Sequence, residues 1–192
     1  MIARRFVAAG AIALATLGIV PGVAQAAPVN TARAILAAHE FPLGSSGYKV
    51  ETETLEPFDE PDNASTPCSR FIRTMFERLG GAQVTSAQAG RGTTEVEVAV
   101  MNRPMAALMA EGFPTCEAQV DPRARSTVLA APADLTRLRP FVFKDADEIQ
   151  AWVDLRGVSV NVIATSKNRG PADADAFWQV LRTQIAKVER QP

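Results

Sequence analysis

The sequence predicts an α+β fold: an antiparallel sheet with helices packed on one face, one disulfide, and a cleaved signal peptide in front. Three observations predict it. Residues 149–164 alternate in polarity about Arg156-Gly157, as the arms of a two-residue hairpin do. Residues 66–81 and 171–188 repeat apolar side chains at helical spacing between recognisable start and stop signals. Two cysteines, Cys68 and Cys116, follow an N-terminus of the export type.

Composition narrows the class. Of 192 residues, 47% are hydrophobic and 21% charged, which excludes a disordered chain and a protein of many membrane spans. A net charge of -1 excludes nucleic-acid binding driven by bulk positive charge.

Met1 to Ala26 reads as a signal peptide: Arg4 and Arg5 form the positive region, Phe6 to Val20 the apolar one, and Ala24-Gln25-Ala26 the cleavage site. The apolar run is shorter than the roughly 20 residues that span a bilayer, so no stable membrane anchor is expected. No cysteine precedes Cys68, so a lipid anchor there is not expected, and Phe6 after the arginine pair departs from a twin-arginine signal. The expectation is a secreted chain, 27–192, folded as one domain. In an oxidising compartment an even cysteine count favours pairing, so Cys68 is expected to bond Cys116 and to tie a helix to the sheet. Closing that loop restricts the unfolded chain by about 4 kcal/mol in the chain-entropy model.

The elements follow in order. Thr31 to His39 reads as a short helix stopped near Pro42, and Tyr48 to Leu55 as a strand after the glycine-rich break at 44–47. Glu56 to Asn63 is a loop. Thr66 caps the next helix, Pro67 fits its first position and Gly80-Gly81 end it. Its stripe is Cys68, Phe71, Ile72, Met75, Phe76 and Leu79. A first hairpin pairs Ala82–Ala89 with Thr93–Met101 around Gly90-Arg91-Gly92, with Val96, Val98 and Val100 inward and Glu95 and Glu97 on a wet face. Asn102 is positioned to cap a short helix containing Met105, Leu108 and Met109. Ser126–Ala131 and Pro140–Phe143 read as strands flanking a Leu135–Leu138 segment. The second hairpin pairs 149–155 with 158–164, setting Leu155, Val153 and Ala151 against Val158, Val160 and Val162. Its other face pairs Asp154 with Ser159, Trp152 with Asn161, and Gln150 with Ile163. A closing helix starts at Pro171 and buries Phe177, Val180, Leu181, Ile185 and Val188.

Catalytic patterns are scarce. His39 is the single histidine, no G-x-S-x-G elbow occurs, and one histidine with two paired cysteines leaves no zinc set. Asp145, Asp147 and Glu148 lack the EF-hand series and read as a solvated turn. Gly90-x-Gly92 reads as a turn, not a phosphate loop, and Asn63-Ala64-Ser65 is a glycosylation sequon short enough to arise by chance. No enzyme, cofactor or metal is therefore expected. Trp152 stands out because it lies on the polar face of its hairpin. It is either an exposed anchor, with Asn161 and Gln150 beside it as ligand contacts, or core beneath a covering helix.

Taken together, "ILAAHEFPLGSSGYKV", "TPCSRF", "FPTCEAQV", "VDLRGVSVNVIAT" and "DADAFWQVLRTQIAKV" make the chain resemble the secreted sensor-like domains of mycobacteria and related actinobacteria. These are akin to the extracellular sensor domain of transmembrane serine/threonine kinases. The alanine-rich, lysine-poor composition fits such a source. The resemblance implies a sheet-and-helix fold and binding outside the membrane, with no catalytic residues to carry over. Kinase sensor domains carry more than one disulfide, whereas this chain has cysteines for one. The expected function is a secreted, non-catalytic module that binds an apolar or amphipathic envelope ligand, a small molecule or a protein partner. Pure protein interaction in the envelope and a two-carboxylate cell-wall hydrolase are the alternatives.

Overall fold

The computed structural model describes residues 28–57 and 65–192. The expected signal peptide and the sequon asparagine, Asn63, lie outside the described residues. Seven strands form one antiparallel sheet in the order β1-β2-β3-β7-β6-β5-β4. They are β1 (Ser46–Thr54), β2 (Gln83–Arg91), β3 (Thr94–Met101), β4 (Thr127–Val128), β5 (Phe141–Lys144), β6 (Glu148–Leu155) and β7 (Val158–Ser166). The helices are α1 (Thr31–Ala34), α2 (Pro67–Leu79), α3 (Ala106–Glu117) and α4 (Ala174–Glu189).

The second hairpin has the predicted register, with Leu155 opposite Val158 and Trp152 opposite Asn161. Its turn residues Arg156 and Gly157 both take positive φ, 52° and 79°, as the tight turn that matches strand twist requires. The first hairpin turns later than predicted. Its ladder runs on through Arg91 opposite Thr94, so Gly92 and Thr93 make the turn and Gly90 remains in the strand. Valines of β3 and β7 fill one face of the sheet, and α4 lays Phe177, Val180, Leu181, Ile185 and Val188 on them, all buried. Asp173 caps α4 by accepting from the Ala176 N–H at 3.0 Å, so the helix begins after Pro171 instead of at it. The Arg156 guanidinium closes the other end, donating to the carbonyls of Val188 at 3.2 Å and Pro192 at 2.9 Å.

The predicted helix from Thr31 to His39 stops at Ala34, and Ile35 is extended. Gln184 of α4, fully buried, takes the place of the next turn: its Oε1 accepts from the Leu36 N–H at 3.1 Å and its Nε2 donates to the Ala34 carbonyl at 2.7 Å. A single 3₁₀ turn, Ala38–Glu40, follows, with His39 exposed. The strand predicted over Ser126–Ala131 shrinks to Thr127–Val128, and β5 begins after Pro140, which has no N–H to donate. The Leu135–Leu138 segment is a 3₁₀ turn over Thr136–Leu138.

On the opposite face lies a second core. The Thr66 Oγ1 caps α2, as predicted, by accepting from the Ser69 N–H at 3.1 Å. The cap predicted for α3 is replaced. Asn102 instead accepts from the Gln83 N–H, and the Asp154 carboxylate of β6 accepts from the Met105 and Ala106 N–H groups at 2.9 and 3.0 Å. A carboxylate on helix N–H groups that have no partner within the helix also suits the positive end of the dipole. Asp154→Ala is expected to lower stability by about 1.5 kcal/mol, read from the urea midpoint at constant slope. The disulfide between Cys68 and Cys116 is present, with Cα atoms 4.5 Å apart, but it joins α2 to α3 and not helix to sheet. The same two helices touch at Phe71 and Gly112, where an added Cβ would lie 1.8 Å from the Phe71 ring. Contacts at 68 with 116 and 71 with 112 show that α2 and α3 run antiparallel. The pair covers Met101, Phe141, Phe143 and Trp152.

Candidate functional site

That second face is covered over only part of its area. Cross-strand pairing sets seven residues in one row across the entire sheet: Lys49, Gln88, Glu97, Ile163, Gln150, Phe143 and Val128. Phe113 of α3 stacks on Phe143 with ring centroids 4.2 Å apart, so the helical cover ends at this row. Above it Trp152 and Asn161 lie buried under the helices, at 8% and 7% exposure. Below it Glu95, Thr165 and Glu148 form the next row, each partly open to solvent.

The three residues singled out from sequence are thus brought to one face, but unequally. Trp152 is core beneath α3, and its indole N–H has no hydrogen-bond partner among the described residues. Asn161 spends its Nδ2 on the Ala151 carbonyl, 2.9 Å away. Gln150 alone is half-buried at the border of the covered and open halves. Sequence reasoning missed the residues that surround it. Glu95 and Glu97 were legible as a wet face, but their neighbours on β1 and β6 come from chain segments far away, and only strand order joins them.

The open half grades from apolar to acidic. Exposed Val128 and half-buried Ile163 lie toward one side, and Glu97 and Glu95 toward the other, with Glu51 and Glu53 beside them at the β1 edge. Two open troughs run over β1 to β3, one of about 180 Å³ bounded by Glu51, Glu53 and Glu97, the next of about 360 Å³ bounded by Glu95 and Lys167, with Lys49 and Gln88 shared between them. Loss of hydration raises the Glu97 carboxyl above its ordinary pKa of 4.5, and the nearby charges of Glu95 and Glu51 raise it further. Glu148 is raised likewise, by burial first and then by Asp145 and Asp147. The Asp145 Oδ1 accepts from the N–H groups of Asp147 and Glu148, so that segment is a carboxylate-closed turn.

The sign of the Glu97 effect is testable. A carboxyl whose folded pKa is raised penalises the fold once it ionises, so its contribution falls as pH rises from 4.5 through the folded value. Glu97→Gln is expected to raise the melting temperature at pH 7 and to leave it unchanged well below pH 4.5, where both states carry the proton. Thermal melts of both chains across this range check it.

No protein-family model matches the chain, and no curated protein matches it in sequence. Its fold is similar to the crystal structure of the extracellular domain of PknH from Mycobacterium tuberculosis, with a TM-score of 0.53 and 15% sequence identity. The match covers 86% of this chain and 99% of that one. At this identity the likeness is one of fold, and it agrees with the sheet-and-helix architecture implied by the sensor-domain resemblance.

Proposed function

We propose that the protein is a non-catalytic binding module working outside the cytoplasm, and that it takes an amphipathic, positively charged ligand on the open half of its sheet. The row from Val128 through Gln150 to Glu97 carries this reading. It offers apolar contact at one end, an amide in the middle and carboxylates at the other, all on rigid strands. The disulfide and the export-type N-terminus support the location, because such bonds persist where the environment oxidises. No helix of the described residues is long and apolar enough to cross a membrane. The fold shared with an extracellular kinase domain supports a sensing role. An envelope lipid, another small molecule or a basic segment of a protein partner would each present this chemistry.

Dodecylammonium, below its micelle concentration, is the probe. Amide NMR shifts are expected at Gln150, Ile163 and Glu97, weakening with salt and in Glu97→Gln. Shifts confined to other surfaces, or none, overturn the reading.

A hydrolase using two carboxylates is the second reading, favoured by the raised pKa of Glu97 beside Glu51 and Glu95. Release of reducing sugar from purified cell wall, lost in Glu97→Gln, would establish it in place of the first.

A further inference from the structure

We propose that β1 is a pairing edge, and that two copies of the chain join there as antiparallel neighbours about a twofold axis at Val50. The inference is independent of the ligand assigned to the sheet face. β1 ends the strand order, so one side of its backbone carries no partner strand within the described residues. Eight of its nine residues are exposed, an uncommon state for so long a strand, and Val50 is 49% exposed. Among the described residues neither Lys49 nor Glu51 is engaged in an ion pair.

The charge pattern selects the occupant and the register. Residues facing each other in an antiparallel pair share a face, so a twofold axis has to pass through a residue position. An axis at Lys49 opposes Lys49 to its own copy, one at Glu51 opposes Glu51 to its own copy, and one at Thr52 sets Glu51 against Glu53 twice. An axis at Val50 sets Lys49 against Glu51 twice, Tyr48 against Thr52 twice, and joins the two exposed Val50 side chains. This register alone of the four opposes no like charges, and like charges directly opposite are destabilising. The extra residue in β1 between Ser46 and Lys49, with Gly47 at φ 69°, bounds the pairing at its N-terminal end. A contact of this length belongs to the small class of interfaces, so weak association is expected.

Sedimentation equilibrium of the purified chain from about 10 µM to about 1 mM tests the proposal. The expected result is a monomer–dimer equilibrium that Lys49→Glu and Glu51→Lys each weaken about tenfold or more, and that the double variant Lys49→Glu/Glu51→Lys restores. Circular dichroism of each variant verifies that the sheet is intact. In a mixed sample of isotope-labelled and unlabelled chain, Val50 methyl contacts between copies are expected. A chain that stays monomeric to about 1 mM, or a dimer indifferent to both single variants, overturns it. So does a folded double variant that fails to regain association.

Discussion

Gln184→Met is expected to cost the protein about 3 kcal/mol, more than a change of similar volume and shape costs at an ordinary core position. The methionine fills the space, but it strands the Leu36 N–H and the Ala34 carbonyl, both now paired with the glutamine. Each orphaned backbone group in a dry interior costs about 1 to 3 kcal/mol. Gln184 is 0% exposed, so water does not reach the site without a rearrangement of α1 against α4. Equilibrium unfolding in urea reads the loss, and hydrogen exchange locates it: the Leu36 amide should lose its protection while amides of β3 and β7 keep theirs. A loss below about 1 kcal/mol would show that α1 re-pairs its backbone in another way.

Replacing both Cys68 and Cys116 with alanine is expected to cost about 4 kcal/mol and to lower the melting temperature by roughly 10 °C. The bond closes a loop of 48 positions that contains all of β2 and β3. The local consequence is sharper than the global one. No residue of α2 is fully buried, and the helix sits mainly on α3, so the disulfide is its strongest tie to the remainder of the molecule. In the alanine variant the amides of α2 should exchange far sooner than those of the sheet, as a unit that opens separately. Uniform loss of protection over both would show that helix and sheet unfold together.

Local pattern made the hairpins and two of the helices readable. Arg156-Gly157 lies between alternating arms, and a slip of one residue would have buried Asp154, so the register was legible in the residues themselves. Thr66, Pro67 and Gly80 marked the ends of α2 for the same reason. Two of the misreadings share one cause, a side chain arriving from elsewhere to serve a backbone. Asn102 was the local candidate to cap α3, but Asp154 reaches its N–H groups across the sheet. The apolar spacing of 31–39 favoured a helix, but Gln184 claims the bonds that would have continued it. Of the site, Gln150 was visible as a partner of Trp152 on one hairpin face. The row that connects it to Lys49 and Val128 depends on β7 pairing with β3, which no local pattern specifies.

The strand order carries a consequence for how the chain assembles. Two meanders, β1-β2-β3 and β7-β6-β5-β4, are each built of strands adjacent in sequence, and they meet at a seam where β3 pairs β7. Hairpins form in roughly 1 to 10 µs, whereas the seam needs a long loop to close first. α4 packs across β3, β7 and β6, so an element that follows both half-sheets in the chain is the clamp over the seam. The two half-sheets therefore have to dock before α4 can cover them, and a nascent chain that ends before residue 174 leaves the valines of both halves without their cover.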